Sequence, residues 1–188
     1  MANELKLNAA VALLIARTQP GKLKLLKLLY LADFTAHWEL GSSITGDLYE
    51  HWRHGPVPKH LWANFDAVVG LCATVERVVS EGSPFAEPRL IPTGKPDLSS
   101  LSPAELAILD RIVREHGTMT GKELRTILHD SVPYRATSHG EEIPYYLAPY
   151  RRTRVNGNGA APIAGVEVTD SLQRAVAKIM ARSKHVSG

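Results

Sequence analysis

The sequence predicts a mainly α domain of the α+β class: a helical body around a buried central helix, with a small antiparallel β-sheet beside it. Three observations predict this. Residues 23–40 hold no proline or glycine and are apolar nearly all round. Two later helices open on complete capping signatures, at Ser102 and at Thr120. Short runs rich in valine, tyrosine and tryptophan lie between turn residues from Asp47 to Pro92.

The central helix comes from KLKLLKLLYLADFTAHWEL, dominated by leucine, alanine and lysine, all good helix formers. At about 100° per residue its apolar side chains spread over two sides. Leu23, Leu26, Tyr30 and Phe34 take one side; Leu25, Leu28, Leu29 and Ala32 take the other. A helix apolar on several sides is normally enclosed by neighbours. Only Lys24 and Lys27 are expected to face water. Gly41 ends the helix. Before it, Leu5–Arg17 reads as a first helix, and the short Gln19-Pro20-Gly21 break favours an antiparallel pair.

After Gly41 the chain turns back. Asp47–Arg53 reads as a strand on the strength of Tyr49 and Trp52. His54-Gly55-Pro56-Val57-Pro58 is expected to end it, because proline removes ladder donors. Pro58–Val69 reads as a third helix with Leu61, Trp62, Phe65 and Val69 at helical spacing. Thr74–Val79 and Arg89–Pro92, separated by turn residues 81–84, are expected to pair as a hairpin that the Asp47–Arg53 strand joins. Gly94–Ser100 is a linker.

Ser102-Pro103-Ala104-Glu105 and Thr120-Gly121-Lys122-Glu123 are capping boxes, each worth about 0.5–2 kcal/mol. Their helices bury Leu106, Leu109, Ile112 and Val113, then Leu124, Ile127 and Leu128. Residues 131–150 are irregular, broken by Pro133, Gly140, Pro144 and Pro149. The main domain is expected to cover residues 1–154, followed by a flexible linker over 155–168. A C-terminal amphipathic helix and tail over 169–188 carries Leu172, Val176 and Ile179 on one stripe and Arg174, Lys178 and Arg182 opposite.

Composition narrows the function classes. At 188 residues the chain needs no disulfide staple, and its single cysteine, Cys72, allows no internal disulfide. A net charge of +3 permits nucleic-acid binding without arguing for it. No signal peptide and no membrane-spanning run of about 20 apolar residues is recognisable, so a cytoplasmic protein without a membrane partner is expected.

No glycine-rich phosphate loop, zinc-protease motif or nucleophile elbow occurs. His51, His54 and His60 cluster, but strand residues three apart point to opposite faces, so they read as surface and loop histidines rather than metal ligands. Cys72 reads as a small buried hydrophobe. No cofactor and no enzymatic activity are expected.

Two binding surfaces remain. The first is the turn around Tyr49, Trp52, His54, Gly55, Pro56 and Val57; its aromatics suit a protein interface as well as a core. The second is Ser102–Asp130, with the outline of a helix-turn-helix. There Lys122, Arg125, Thr126 and His129 share one polar face that would meet a DNA major groove, as any amphipathic surface helix would also present. Arg151, Arg152 and Arg154 add a basic patch.

The central stretch resembles the amino-terminal signature of the Panacea domain, the SocA-like antitoxin family. The resemblance is carried by Lys24, Leu25, Lys27, Leu28, Leu29, Tyr30, Ala32 and Asp33, then by Ile44–Asp47, and by Gly55–Val57. LSPAELAILDRIVREHGTMTGKELRTILHD and GEEIPY are similar to its second half, so the likeness spans roughly residues 5–150. Where the family often has Thr-His and then Pro-Ala-Trp, this chain has Leu128-His129 and then Val132-Pro133-Tyr134.

The resemblance implies function by contact: a bacterial or phage-borne antitoxin that neutralises a cognate toxin by direct binding, by occluding it or by handing it to a cytosolic protease. It carries over no catalytic residue. A DNA-binding regulator using Lys122, Arg125 and His129 is the alternative, and a hydrolase built on the histidines a third.

Overall fold

The computed structural model describes residues 2–79 and 86–150, together with Ala177. The expected linker over 155–168, the C-terminal helix apart from Ala177, the arginines at 151, 152 and 154, and the turn at 81–84 lie outside the described residues. The architecture is the mainly helical α+β arrangement expected, with two small antiparallel hairpins. Among the described residues no helix is long and apolar enough to cross a membrane.

Helix α1 (Glu4–Thr18) starts at Asn3, whose side chain accepts from the Lys6 amide. The chain reverses through Gln19, the only described non-glycine residue with positive φ, at 39°. Helix α2 (Lys22–Leu40) then runs through the centre of the molecule. Every residue from Lys24 to Ala36 is buried. α1 and three later elements, helix α5 (Pro103–His116), helix α6 (Gly121–His129) and the closing 3-10 turn (Tyr145–Tyr150), all pack on it. Each fully buried leucine there contributes about 1.5–3 kcal/mol.

The expectation that Lys24 and Lys27 face water is overturned: they are 7% and 1% exposed. A helix enclosed from every side leaves no solvent sector. Each lysine instead buries its stem and ends on a carbonyl. Lys24 Nζ donates to the Gly117 carbonyl at the end of α5, and Lys27 Nζ to the Pro56 carbonyl at 2.8 Å. Burial pushes the Lys27 ammonium down to about 7. Lys24 is lowered by burial and by Arg89, with Glu123 opposing.

The expected strand over Asp47–Arg53 is shorter and does end before His54, but the segment expected only to end it forms a second strand. Tyr49–Trp52 (β1) turns through Arg53 and His54 into Gly55–Pro58 (β2), with Tyr49 opposite Pro58 and Trp52 opposite Gly55. The prolines fit because they alternate. Pro56 and Pro58 sit opposite His51 and Tyr49, so only the pairs Glu50–Val57 and Trp52–Gly55 can exchange ladder bonds. The amides of Tyr49's neighbour-but-one His51 and of Ile143 close the other edge: His51 N donates to Glu141 O, and Ile143 N to Tyr49 O. β1 thus lies between β2 and residues 140–143. Gly55 adopts φ 98°, and a Cβ there would stand 3.0 Å from Lys27 Cε.

The expected third helix is two: α3 (Lys59–Ala63) and α4 (Phe65–Gly70), parted at Asn64. Strands β3 (Ala73–Val79) and β4 (Ala86–Pro92) pair as expected. They form a separate sheet that β1 does not join. Both capping boxes are present, Ser102 with Glu105 and Thr120 with Glu123. Glu105 also binds Lys6 at 2.6 Å, tying α5 to α1. A single turn, α7 (Val132–Arg135), follows α6.

Candidate functional site

The polar residues of the central stretch build two structures, one inside and one at the surface. The inner one begins with Asp33, fully buried on α2. Its carboxylate accepts from the Thr45 amide at 2.9 Å, from the Thr45 hydroxyl, and from the Tyr49 hydroxyl at 2.7 Å. Burial pushes Asp33 up to about 6, against the pull of those hydrogen bonds. Asp47, 2% exposed, accepts from the amides of Leu48, His60 and Leu61 at 2.8–2.9 Å. It thereby caps α3, whose own N-cap is Pro58 and has no acceptor side chain. Tyr145 donates to the Asp47 carbonyl at 2.7 Å. The result pins the 44–47 loop and β1 onto α2.

Tyr49 belongs to this interior. It is 0% exposed and lies edge-on to Tyr30, Phe34 and Tyr145. Gly55, Pro56 and Val57 are buried as well. Of the six residues expected at a partner surface, these four are walled off from direct contact, because α2 and residues 140–143 cover the hairpin. Trp52 and His54 reach the surface.

The outer structure forms where the hairpin meets α6. Tyr134 on α7 donates its hydroxyl to the Trp52 carbonyl at 2.7 Å. Its ring stacks on His51 at 3.6 Å and on His129 at 4.4 Å. Tyr134 is therefore the middle of an aromatic stack joining β1 to α6. His54 Nδ1 lies 3.4 Å from Arg125 Nη1. Trp52 donates Nε1–H to Glu50 at 3.1 Å and sits 5.3 Å from Trp62. Glu50 also pairs with Lys59 at 3.1 Å.

The two sequence-derived candidate surfaces are thus neighbours. Lys122 and Arg125 are exposed; His129 turns inward onto Tyr134, and its Nε2 is buried without a hydrogen-bond partner. Burial first, then Arg125, His51 and Lys27, push the His129 imidazolium down, with Asp130 opposing. Along the outer side of α6 an open cleft of about 560 Å³ runs past Met119, Lys122, Thr126 and Ile127.

His51, His54 and His60 do not converge: the first stacks on Tyr134, the second meets Arg125, and the third gives its amide to Asp47. Among the described residues no group of histidine, cysteine, aspartate or glutamate side chains could hold a metal ion. Cys72 is half-buried with its thiol 3.6 Å from the Val69 carbonyl, and burial raises its pKa.

Sequence reasoning missed the Asp33–Thr45–Tyr49 network and the Arg125–His54 contact. The first had a signal: an aspartate inside an otherwise apolar helix needs a buried partner. The second spans residues far apart in the chain and had none.

The fold thus carries a buried polar lock on its central helix and, beside it, an aromatic and basic hairpin face against α6. The model of the antitoxin SocA-like, Panacea domain family matches residues 25–133, more than half of the chain, and the chain belongs to that family. The match runs from α2 into α7; it takes in Asp33, Thr45, Asp47 and the β1–β2 hairpin and stops just before Tyr134. No curated protein and no solved structure matches the chain.

Proposed function

We propose that this protein is the antitoxin of a toxin–antitoxin pair and neutralises its cognate toxin by direct protein–protein contact, without catalysis, in the cytoplasm of a bacterium or of a phage-infected cell. Membership of the Panacea family across α2–α7 carries the proposal. The contact surface is the hairpin tip and the adjoining face of α6: Trp52, His54, Lys122 and Arg125. Trp and Arg are the residues that most often dominate binding energy. Their supports, Tyr49, Tyr134 and Lys27, are fixed by packing, so the surface is preorganised and loses little freedom on binding.

The placement of α6 argues against the duplex-reading alternative. A recognition helix enters a groove with its polar face free. Here the hairpin turn stands beside that face at Arg125, and His129 is turned into the protein.

Co-expression tests the proposal. The product of the adjacent reading frame, arresting growth by itself, is expected to be tolerated when this protein is present, and the two are expected to co-purify. Rescue that persists in a strain lacking the cytosolic ATP-dependent proteases marks occlusion; rescue lost there marks delivery to a protease. A harmless neighbour that never co-purifies defeats the proposal.

A further inference from the structure

We infer that the outer edge of β3 is a strand-addition site for the toxin. It takes an extended segment of that protein with an acidic residue opposite Arg77 and apolar residues two positions away on each side. This rests on the antitoxin reading and adds to it a second contact and the chemistry of the partner there.

The phase of the β3–β4 ladder decides which backbone groups are left over. In an antiparallel pair, alternate residues exchange amide–carbonyl bonds, and the residues between them turn theirs away. The Thr93 amide bonds the Cys72 carbonyl, whereas the Leu90 amide points away from β3 to the Pro20 carbonyl. Thr74, Glu76 and Val78 therefore bond across to Ile91, Arg89 and Glu87. Val75, Arg77 and Val79 each turn an amide and a carbonyl to the outside. Among the described residues no backbone bond reaches them there.

The two outer edges of this hairpin differ. On β4 the outward positions include Pro88, Leu90 and Pro92. The prolines have no amide proton, and the Leu90 amide is taken by Pro20 at the α1–α2 turn. That edge is closed. β3 lacks the usual protections of an exposed edge: it has no proline and no lysine, and no bulge interrupts its seven residues. Beyond Ala73 every residue of it is exposed, so both faces are open as well as the edge.

Its side chains select the partner. Val75, Arg77 and Val79 share one face, and the two valines are 63% and 66% exposed. Branched apolar residues suit a strand and stabilise it through apolar neighbours directly opposite. Arg77 Nη2 donates to the Ala86 carbonyl at 3.4 Å, and among the described residues no carboxylate lies within ion-pair distance of Arg77. An acid directly opposite supplies the missing charge. A second copy of this chain fits poorly: the two-fold register that engages all three outward residues sets Arg77 against Arg77, and like charges directly opposite repel.

The test uses the purified full-length protein and the adjacent gene product. Residue-resolved hydrogen–deuterium exchange compares the free protein with the complex, and titration calorimetry measures affinity. The amides of Val75, Arg77 and Val79 are expected to lose their fast exchange in the complex. Val75→Pro removes an outward amide and no ladder bond, and proline is tolerated on such an edge. It is expected to weaken the complex about tenfold, as is Arg77→Glu, which keeps the backbone and reverses the charge. Arg114→Glu, the same change of charge at an exposed position on α5, is expected to leave affinity unchanged. Circular dichroism and melting temperature establish that each variant is folded; the exchange measurement needs no variant. A complex that forms with those three amides still in fast exchange overturns the inference and leaves the antitoxin reading standing. Undiminished affinity in folded Arg77→Glu overturns the acidic partner strand. Protection of the three amides in the free protein that deepens with concentration, with a dimer in sedimentation, overturns the inference in favour of a second copy. Failure of the wild-type protein to bind the neighbour ends both.

Discussion

The hairpin β1–β2 has strands of four residues, and β2 is glycine, proline, valine, proline. The hairpin β3–β4 has strands of seven, and β3 carries Val75, Val78 and Val79. Intrinsic preference favours the second. Burial favours the first: all of β2 is buried, whereas β3 is exposed beyond Ala73. The difference lies in what satisfies each hairpin's surroundings. β1–β2 is gripped by side chains from elsewhere, by Lys27 on the Pro56 carbonyl and by Asp33 on the Tyr49 hydroxyl. Residues 140–143 close its outer edge. β3–β4 touches the body mainly through β4, where the Leu90 amide reaches the Pro20 carbonyl. Position in a core follows from partners outside the hairpin, not from the strand's own composition.

Removing the carboxylate that holds the loop into β1 and the helix after β2 tests the comparison most directly. Asp47→Ala leaves the amides of His60 and Leu61 without their acceptor and uncaps α3. Hydrogen bonds to a charged group are worth about 1.5–3 kcal/mol each, so a loss of about 3–5 kcal/mol is expected. The urea midpoint, read with an unchanged m-value, measures it. A midpoint equal to wild type would mean that the loop is not what holds β1–β2.

The same contrast is sharpened through pH, where the effect is spread over several units. Lys27 has an ordinary pKa of 10.5 and a folded one of about 7. Between those values the unfolded chain binds more protons, so stability rises with pH through that window and falls as pH drops toward about 7. The slope is at most about 1.4 kcal/mol per pH unit. Lys27→Met is expected to flatten it. Asp33 acts in the opposite sense. Its folded value of about 6 lies above the ordinary 3.8, so the folded chain binds more protons between them and stability declines as pH rises there. Asp33→Asn removes that decline. Denaturant midpoints across pH, compared variant by variant, separate the two slopes.

Much of the fold was legible because its signals are local. The capping boxes at Ser102 and Thr120 need only four consecutive residues, and α2 announces itself by unbroken apolar composition. The exposure of Lys24 and Lys27 was misjudged because a helical wheel ranks sectors of one helix and knows nothing of the neighbours that close over them. β2 was misjudged for a related reason. Proline forbids a ladder donor, yet at alternate positions the forbidden bonds are ones the pairing does not use. The candidate site was half legible: the sequence offered Trp52, His54, Lys122 and Arg125 as two separate surfaces. Only folding brings the hairpin turn against α6, through Tyr134, which follows α6 closely but lies far from β1 in the chain.

The smallest expected effect belongs to β3–β4. Val75 is 63% exposed although it sits opposite the buried Leu90. Val75→Thr keeps the β-branched shape and the χ1 restriction that suit a strand, and changes one methyl for a hydroxyl that water can reach. Nothing buried loses a partner, so stability is expected to move by no more than about 0.5 kcal/mol, the usual range for a surface change away from caps and cores. The same exchange at Val57 on β2, 3% exposed, places a hydroxyl inside the core and is expected to cost at least about 1 kcal/mol. Thermal melts of the two variants, run side by side, weigh the hairpins directly: equal shifts would mean that β2 is no better integrated than β3, and that partners outside the hairpin are not what decides its place.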